Sequence, residues 1–172
     1  MKKEMRKNLL IVIAVVLVVV LVGIIFAALD PTMRFQQART VVRQKSVNDI
    51  LSALIEYRSD HEGRYPGVSS PNPGEVYMLV DGTQMTTGCD DHNSECLTDV
   101  TQDTHCMDIH DLIDQEYLAA MPVSPAGEVV WDVGGNAGNN GSGYTVSVDT
   151  EGKVTVRACE NEATTLEIQG SR

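Results

Sequence analysis

One uninterrupted run of apolar residues lies close to the N-terminus of the chain. Leu9–Leu29 is 21 residues long and contains no charged side chain. As an α-helix that rises about 1.5 Å per residue, it is long enough to cross a hydrocarbon core about 30 Å thick. A cleavable signal peptide usually has a shorter apolar region, of about 7–15 residues, and a small-residue cleavage site. The run therefore predicts a transmembrane helix at residues 9–29.

Charge is distributed unevenly on the two sides of this run. Residues 1–29 have four basic and one acidic side chain, whereas residues 65–172 have three basic and eighteen acidic ones. Because basic residues mark the cytoplasmic end of a membrane helix, we expect residues 1–8 to be a cytoplasmic tail. The rest of the chain then lies outside a cytoplasmic membrane that it crosses once. The acidic head would repel phosphate backbones, which argues against nucleic-acid binding.

Residues 30–63 have the pattern of an amphipathic stalk helix. Gly63 and Pro66 are typical of a helix end. Apolar side chains recur mainly at steps of three and four residues: Phe35, Ala38, Val42, Val47, Ile50, Leu51, Leu54 and Ile55. The stripe is too short and too irregular for a coiled coil. We therefore expect it to pack on the sheet of the same chain.

Residues 64–172 are predicted to form a small β head, so that the fold class is α+β with an antiparallel sheet. The alternation of apolar and polar residues in 144–148 and 154–158 predicts a hairpin. A further strand is expected at 129–131, and a short helix is expected from Asp108 onward. The polar residues after Cys159 are expected to be frayed.

All four cysteines lie in the predicted head, at Cys89, Cys96, Cys106 and Cys159. In an oxidising compartment four cysteines suggest two disulfides, which can be connected in three ways. We expect the pairs Cys89–Cys96 and Cys106–Cys159. The spacing does not fit a zinc site, because there is no C-x2-C pair.

The segment after the apolar run, LDPTMRFQQARTVVRQKSVNDILSALIEYRSDHEGRYP, resembles type IV pilins and type II secretion pseudopilins. The residues that match the family pattern are Asn48, Ile50, Ala53, Tyr57, Asp60, Gly63, Tyr65 and Pro66. Residues 106–125 resemble the helix-then-proline connection of the family, and GYTVSVDTEGKVTVRAC resembles the last hairpin of major pseudopilins. The resemblance implies a pilin-like fold, with a long N-terminal helix packed on a small sheet. It also implies a structural subunit of a type IV pilus or a type II secretion-type filament.

The partners implied by the resemblance are the lipid bilayer, the helices of like subunits, and a secretion or pilus assembly machinery. One feature departs from the family, at the prepilin peptidase site. Family members have a glycine before the cleaved bond and a glutamate five residues into the mature chain. Aligned on Lys7, these positions hold Asn8 and Ile13, and the new N-terminus would be Leu9. We therefore expect a permanently anchored, pilin-like protein, with a non-polymerising anchored binding module as the alternative.

Two loops carry many of the oxygen ligands that calcium prefers. The first offers Asp90, Asp91, Asn93 and Glu95, and the second offers Asp132, Asn136, Asn139 and Asn140. Major pseudopilins bind calcium, so the resemblance implies a calcium site with Asp90, Asp91, Glu95 and Asp132 as candidate ligands. Neither loop has the spacing of an EF-hand, and solvated acidic loops are the simpler interpretation.

The sequence contains no recognisable catalytic motif. A serine elbow, a catalytic Cys–His motif and a phosphate-binding glycine loop are all missing from it. His105 and His110 are close in sequence, but a helix that starts near Asp108 would scatter them and their acidic neighbours around its surface. We therefore expect no enzymatic activity, no catalytic residue and no cofactor other than calcium.

Overall fold

The computed structural model describes residues 2–28, 31–67, 71–82, 87–127, 129–132, 141–162 and 166–172. The chain divides into two compact units, Met1–Phe35 and Gln36–Arg172. Helix α1 (Lys2–Ala28) belongs to the first unit. Helix α2 (Pro31–Asp60) belongs to the second unit from Gln36 onward, together with a small mixed sheet. The fold is therefore α+β.

Helix α1 is apolar over most of its length. Its segment Arg6–Ile24 has a mean hydropathy of 2.9 over 19 residues, so it is long and apolar enough to cross a membrane. That criterion is one of length and composition, and a signal sequence near an N-terminus also meets it. The side chains from Ile11 to Val22 are exposed in the isolated chain, and Val19 reaches 64%. A helix with apolar side chains on every face needs an apolar surrounding such as lipid or other helices.

The second unit contains a five-stranded sheet in the order β2-β1-β3-β4-β5. Its strands are β1 (Val76–Val80), β2 (Cys106–Asp108), β3 (Tyr144–Val148), β4 (Val154–Ala158) and β5 (Ile168–Ser171). The prediction of a purely antiparallel sheet is wrong, because β1 and β2 are parallel. The long connection between β1 and β2 leads back to the end of the sheet at which β1 begins, so β2 runs in the same direction as β1.

The hairpin β3–β4 has the predicted bounds. Val146 lies opposite Val156 and Val148 lies opposite Val154, so one face of both strands is apolar. The connecting turn is closed by Asp149, whose Oδ1 accepts hydrogen bonds from the backbone N–H groups of Glu151 and Lys153 at 3.0 and 2.8 Å. Alternation with a period of two therefore located this element correctly from sequence.

Three local predictions of the head are corrected. The end of the chain is not frayed, because residues 168–171 form β5 and Ile168 is buried. Residues 129–131 are not a strand; the neighbouring Asp132 makes one isolated bridge to Gly141. The helix expected from Asp108 is a short helix α3, His110–Asp114. Strand β5 packs closely on α2, because a Cβ built at Gly170 would lie 3.2 Å from a methyl group of Val47.

The apolar stripe of α2 packs on the sheet from Val47 onward. Val47, Ile50 and Leu54 are fully buried, in one core with side chains of all five strands. Upstream the prediction fails, since Phe35 is 65% exposed and Val42 is 49% exposed. The buried position one turn before Val47 belongs instead to Arg43, because carboxylates of the head pair with its charge.

The opposite face of the sheet has a core of its own. Met78, Val80, Val100 and Trp131 are buried there together with Cys89 and Cys159. Strand β1 therefore has buried side chains on both faces, which explains its continuous apolar sequence VYMLV. The cysteine-containing loop and the segment around Trp131 cover this second face.

Two matched substitutions on α2 test the packing of its buried face. We expect Val47→Ala to lower the free energy of unfolding by about 2 kcal/mol, because two buried methyl groups are lost and a cavity remains. Val41→Ala is the control on the same helix, and since Val41 is 68% exposed its effect should stay within about 0.5 kcal/mol. Denaturant titration of the full chain in detergent micelles measures both. Equal effects would contradict the assigned buried face.

Candidate functional site

Two disulfides fix the loop that precedes β2 and link it to the sheet. The four cysteines are paired, but as Cys89–Cys106 and Cys96–Cys159, so the predicted connectivity is wrong. The backbone N–H of Cys89 donates to Asp103 O at 3.0 Å, which holds Cys89 beside the start of β2. Cys96 follows a 3-10 turn, Asn93–Glu95, and reaches the residue after β4. Cys89 and Cys96, which are close in sequence, are thus bonded to cysteines at different strands.

The loop is ordered by side chains that bond to its backbone. Asn93 Oδ1 accepts from Val100 N at 2.8 Å, and Asn93 Nδ2 donates to Val100 O at 3.0 Å. Asn93 was one of the oxygen ligands considered for calcium, but its amide is committed to this loop contact. Asp103 Oδ1 accepts from Gly88 N at 2.5 Å, so Asp103 also helps to close the loop.

Three carboxylates meet in this loop. Oxygen atoms of Asp90, Asp91 and Asp103 all lie within 4.8 Å of one another. Two of the predicted calcium ligands are thereby brought together, whereas Glu95 and Asp132 do not belong to this group among the described residues. Asn136, Asn139 and Asn140 lie outside the described residues.

Asp103 was missed because it falls outside the loop expected from a Cys89–Cys96 disulfide. The observed Cys89–Cys106 disulfide encloses it and places it beside the two consecutive aspartates. A correct prediction of the Cys89–Cys106 disulfide would have placed Asp103 in the same loop as the other two carboxylates.

The carboxylate oxygens of this group supply some of the ligands that a hard divalent cation needs. Calcium takes six to eight oxygen ligands, and three carboxylates supply three to six of them. Asp91 and Asp103 are exposed and Asp90 is half-buried, so solvent screens much of their mutual repulsion. The residues that would hold calcium are therefore Asp90, Asp91 and Asp103, with water completing the shell.

His105 and His110 lie at opposite ends of β2 and do not form one site. His105 Nε2 lies 3.3 Å from Glu75 Oε2, before the parallel strands begin. His110 Nδ1 lies 2.6 Å from Asp81 Oδ1, after they end. This hydrogen bond from the imidazole to Asp81 raises the pKa of His110. Its charged form therefore stabilises the fold at low pH, and that contribution is lost as the pH rises through the raised pKa.

A partly buried group of ionic side chains joins α2 to the segment that follows β4. Its members, which we call the arginine–glutamate cluster, are Arg39, Arg43, Glu160 and Glu162. The side chain of Arg43 is 0% exposed, and its Nη2 lies 3.0 Å from Glu160 Oε2 and 2.7 Å from Glu162 Oε1. Arg39 Nε lies 2.8 and 2.7 Å from the two oxygens of Glu162. The cluster was not anticipated, because the apolar periodicity of α2 excludes arginine from its buried row.

No protein-family model matches this chain, and no curated protein and no solved structure is significantly similar to it. A function can therefore be inferred only from the chain's own residues and from their places in the fold.

The disulfide pairing can be tested by removing each bridge separately. Peptide mapping of the unreduced full chain should recover Cys89 linked to Cys106 and Cys96 linked to Cys159. The two bridges span 17 and 63 residues. On the chain-entropy account, Cys96→Ser/Cys159→Ser should therefore lose about 1 kcal/mol more stability than Cys89→Ser/Cys106→Ser. Recovery of a Cys89–Cys96 peptide would contradict the fold of this loop.

The calcium hypothesis predicts a difference in thermal stability between calcium and chelator. Binding to the native state alone raises Tm by mass action. Asp103→Asn should remove the difference, because it takes away one carboxylate of the group. Asp99→Asn is the control, since Asp99 is an exposed carboxylate of the same loop outside the group. The same Tm for the wild type in calcium and in chelator would exclude a structural calcium ion.

Proposed function

We propose that this protein is a membrane-anchored, pilin-like structural subunit of a type IV pilus or a type II secretion-type filament. One observation carries the proposal: half of the eight residues that match the pilin pattern lie in the core that joins α2 to the head. Ile50, Ala53, Tyr57 and Tyr65 are all buried, with exposures of 0, 4, 6 and 8%. Matching residues that pack in one core support a similar fold better than matching residues that are exposed.

The end of α2 supports the same proposal. The helix ends at Asp60, and Gly63 adopts a φ of +87°, which a residue with a Cβ rarely adopts. Arg58 lies over the ring of Tyr65 at 4.7 Å and donates from Nη1 to Gly152 O at 3.1 Å. The exit from the helix is therefore bonded to the turn of the β3–β4 hairpin, and these are two of the regions that resemble the family.

The proposed mechanism is assembly, without a catalytic step. Helix α1 would hold the subunit in the bilayer, and its exposed valines, leucines and isoleucines would pack against lipid and against the α1 helices of like subunits. The basic residues before the apolar run would keep the N-terminus in the cytoplasm. The head, with two disulfides, would then lie in an oxidising compartment outside the membrane. A secretion or pilus machinery would be the further partner.

Asn8 and Ile13 change how such a subunit would assemble. In the pilin family the glutamate of the apolar helix neutralises the N-terminal amine of a neighbouring subunit. In this chain Ile13 stands at that position. A subunit of this kind would keep residues 1–8 and would pack through apolar contacts alone. This same departure favours the second candidate function, a single-pass anchored module that does not polymerise and that binds an extracytoplasmic ligand through its disulfide-bonded loops.

A matched pair of chains tests processing. Expressed with an active prepilin peptidase, the wild-type protein should keep Met1, because it lacks both recognition residues. Asn8→Gly/Ile13→Glu should lose residues 1–8, because it restores both of them within the same apolar helix. Mass spectrometry of membrane-extracted protein measures the two N-termini. A wild-type chain that begins at Leu9 would contradict the expectation that residues 1–8 are retained.

Shearing of intact cells separates the two candidate functions. A filament subunit is expected in sheared surface fibres, or in membrane-bound oligomers that are captured by crosslinking through α1. A protein recovered only as a membrane-bound monomer would contradict assembly and would favour the anchored binding module. The Asn8→Gly/Ile13→Glu variant is the control for whether the machinery present can polymerise this chain.

A further inference from the structure

The first part of α2 in the second unit is held to the head by polar contacts. Of residues 36–45, all of which the structure describes, only Arg43 is buried. The apolar contacts begin after it, at Val47, and continue through Ile50 and Leu54 to Tyr57. The attachment of α2 therefore has two parts of different chemistry: an ionic part at 36–45 and an apolar part from Val47 onward.

The ionic part converges on two carboxylates. Glu160 is buried and accepts hydrogen bonds from Trp131 Nε1 at 2.9 Å, from Ser124 Oγ at 3.3 Å and from Arg43. Arg43 Nε also donates to Ser124 Oγ at 2.9 Å, and Arg43 Nη2 donates to Pro125 O at 3.0 Å. Glu162 joins Arg43 to Arg39. One guanidinium thus links the helix to two separate segments of the head, 124–125 and 160–162.

The cluster has little room and incomplete bonding. A Cβ built at Gly127 would lie 2.4 Å from a carboxylate oxygen of Glu160 and of Glu162, so any larger residue there would displace those side chains. Among the described residues no partner bonds to Arg43 Nη1. When a carboxylate partner becomes neutral, the guanidinium keeps its two bonds to uncharged oxygens of segment 124–125, and breaking a buried ion pair on one side is strongly unfavourable.

We propose that the arginine–glutamate cluster is an acid-sensitive latch, which releases residues 36–45 of α2 from the head while the apolar contacts from Val47 onward keep the rest of the helix in place. Release frees a segment with two arginines and removes the Arg43 bond from Glu160, the carboxylate that also accepts from Trp131 Nε1. Arg39 and Arg43 face the cluster from α2, Glu160 and Glu162 follow β4, and Tyr144 faces it from β3. Glu95 lies across the hollow beside Glu160, and Trp131 bonds to Glu160 with the His92 ring packed edge-on against it at 5.1 Å.

The direction of the pH dependence follows from Glu162. Burial raises the pKa of its carboxyl, but the hydrogen bonds and charges of Arg39 and Arg43 outweigh burial and hold that pKa below its ordinary value. A carboxyl whose pKa is lowered by folding stabilises the folded state above its unfolded pKa, and this contribution is lost as the pH falls through the lowered value. Release is therefore expected at a pH below the ordinary pKa of a glutamate carboxyl.

Trp131 is the single tryptophan of the chain and reports directly on the cluster. Acid titration of the full chain in lipid nanodiscs should show a change in Trp131 emission at a higher pH than the loss of the far-UV helix signal. Glu162→Gln should show the changed emission already at pH 7, because it removes one of the two carboxylate charges at every pH. Asp49→Asn is the matched control, because Asp49 belongs to the exposed Lys45–Asp49 pair of the same helix, and it should leave the midpoint unchanged.

Hydrogen exchange locates the release. At pH 7, peptides from residues 36–45 of Glu162→Gln should exchange at least tenfold faster than in the wild type, whereas peptides from residues 47–57 should not change. A triple variant, Arg43→Met/Glu160→Gln/Glu162→Gln, removes the buried guanidinium together with both carboxylates and should lack the emission step altogether. The proposal is overturned if emission and helix signal are lost together, if Glu162→Gln unfolds as a whole or exchanges like the wild type, or if the step persists in the triple variant.

Discussion

The contact between one face of α2 and the five-stranded sheet is the interaction on which the second unit depends. Val47, Ile50 and Leu54 are fully buried in it, and every strand contributes side chains to the same core. Burying an aliphatic side chain of this size is worth about 1.5–3 kcal/mol, a large share of the net stability of a small domain. The approach is close, because β5 presents Gly170 rather than a larger residue to the helix.

Local periodicity determined which elements could be predicted. The hairpin β3–β4 was found within its bounds because apolar residues alternate along both arms, and α2 was found because its stripe recurs at helical spacing. β5 was missed because IQGS has almost no apolar pattern and is a strand only through pairing with β4. The disulfide pairing was missed for a related reason: it is decided by strands that are distant in sequence. The error carried over to the candidate metal ligands, since Asp103 enters the loop only through the Cys89–Cys106 bridge.

Arg43 shows where a hydrophobic pattern is an incomplete guide to burial. Its position lies in the buried row of α2, one turn before Val47, and a charge there would be strongly unfavourable if it were alone. Glu160 and Glu162 compensate it from a segment more than 110 residues away in sequence, at separations of 117 and 119. Such a pair cannot be read from the helix itself, because the helix supplies only half of it. The carboxylates are placed by the end of β4 and by the Cys96–Cys159 disulfide beside them.

The resemblance to pilins bears differently on the two units. In Gln36–Arg172 some of the matching residues, such as Ile50, Ala53 and Tyr57, are buried, so packing accounts for that part of the resemblance. In Met1–Phe35 the residues that would govern processing and subunit pairing are Asn8 and Ile13, and there the chain departs from the family. The fold of the head fixes how α2 packs on the sheet. Assembly with other subunits would instead depend on the surface of α1 and on its N-terminus. Packing of α2 on the sheet does not depend on residues 8 and 13, so the architecture of the head and the association of α1 with its surroundings can vary independently.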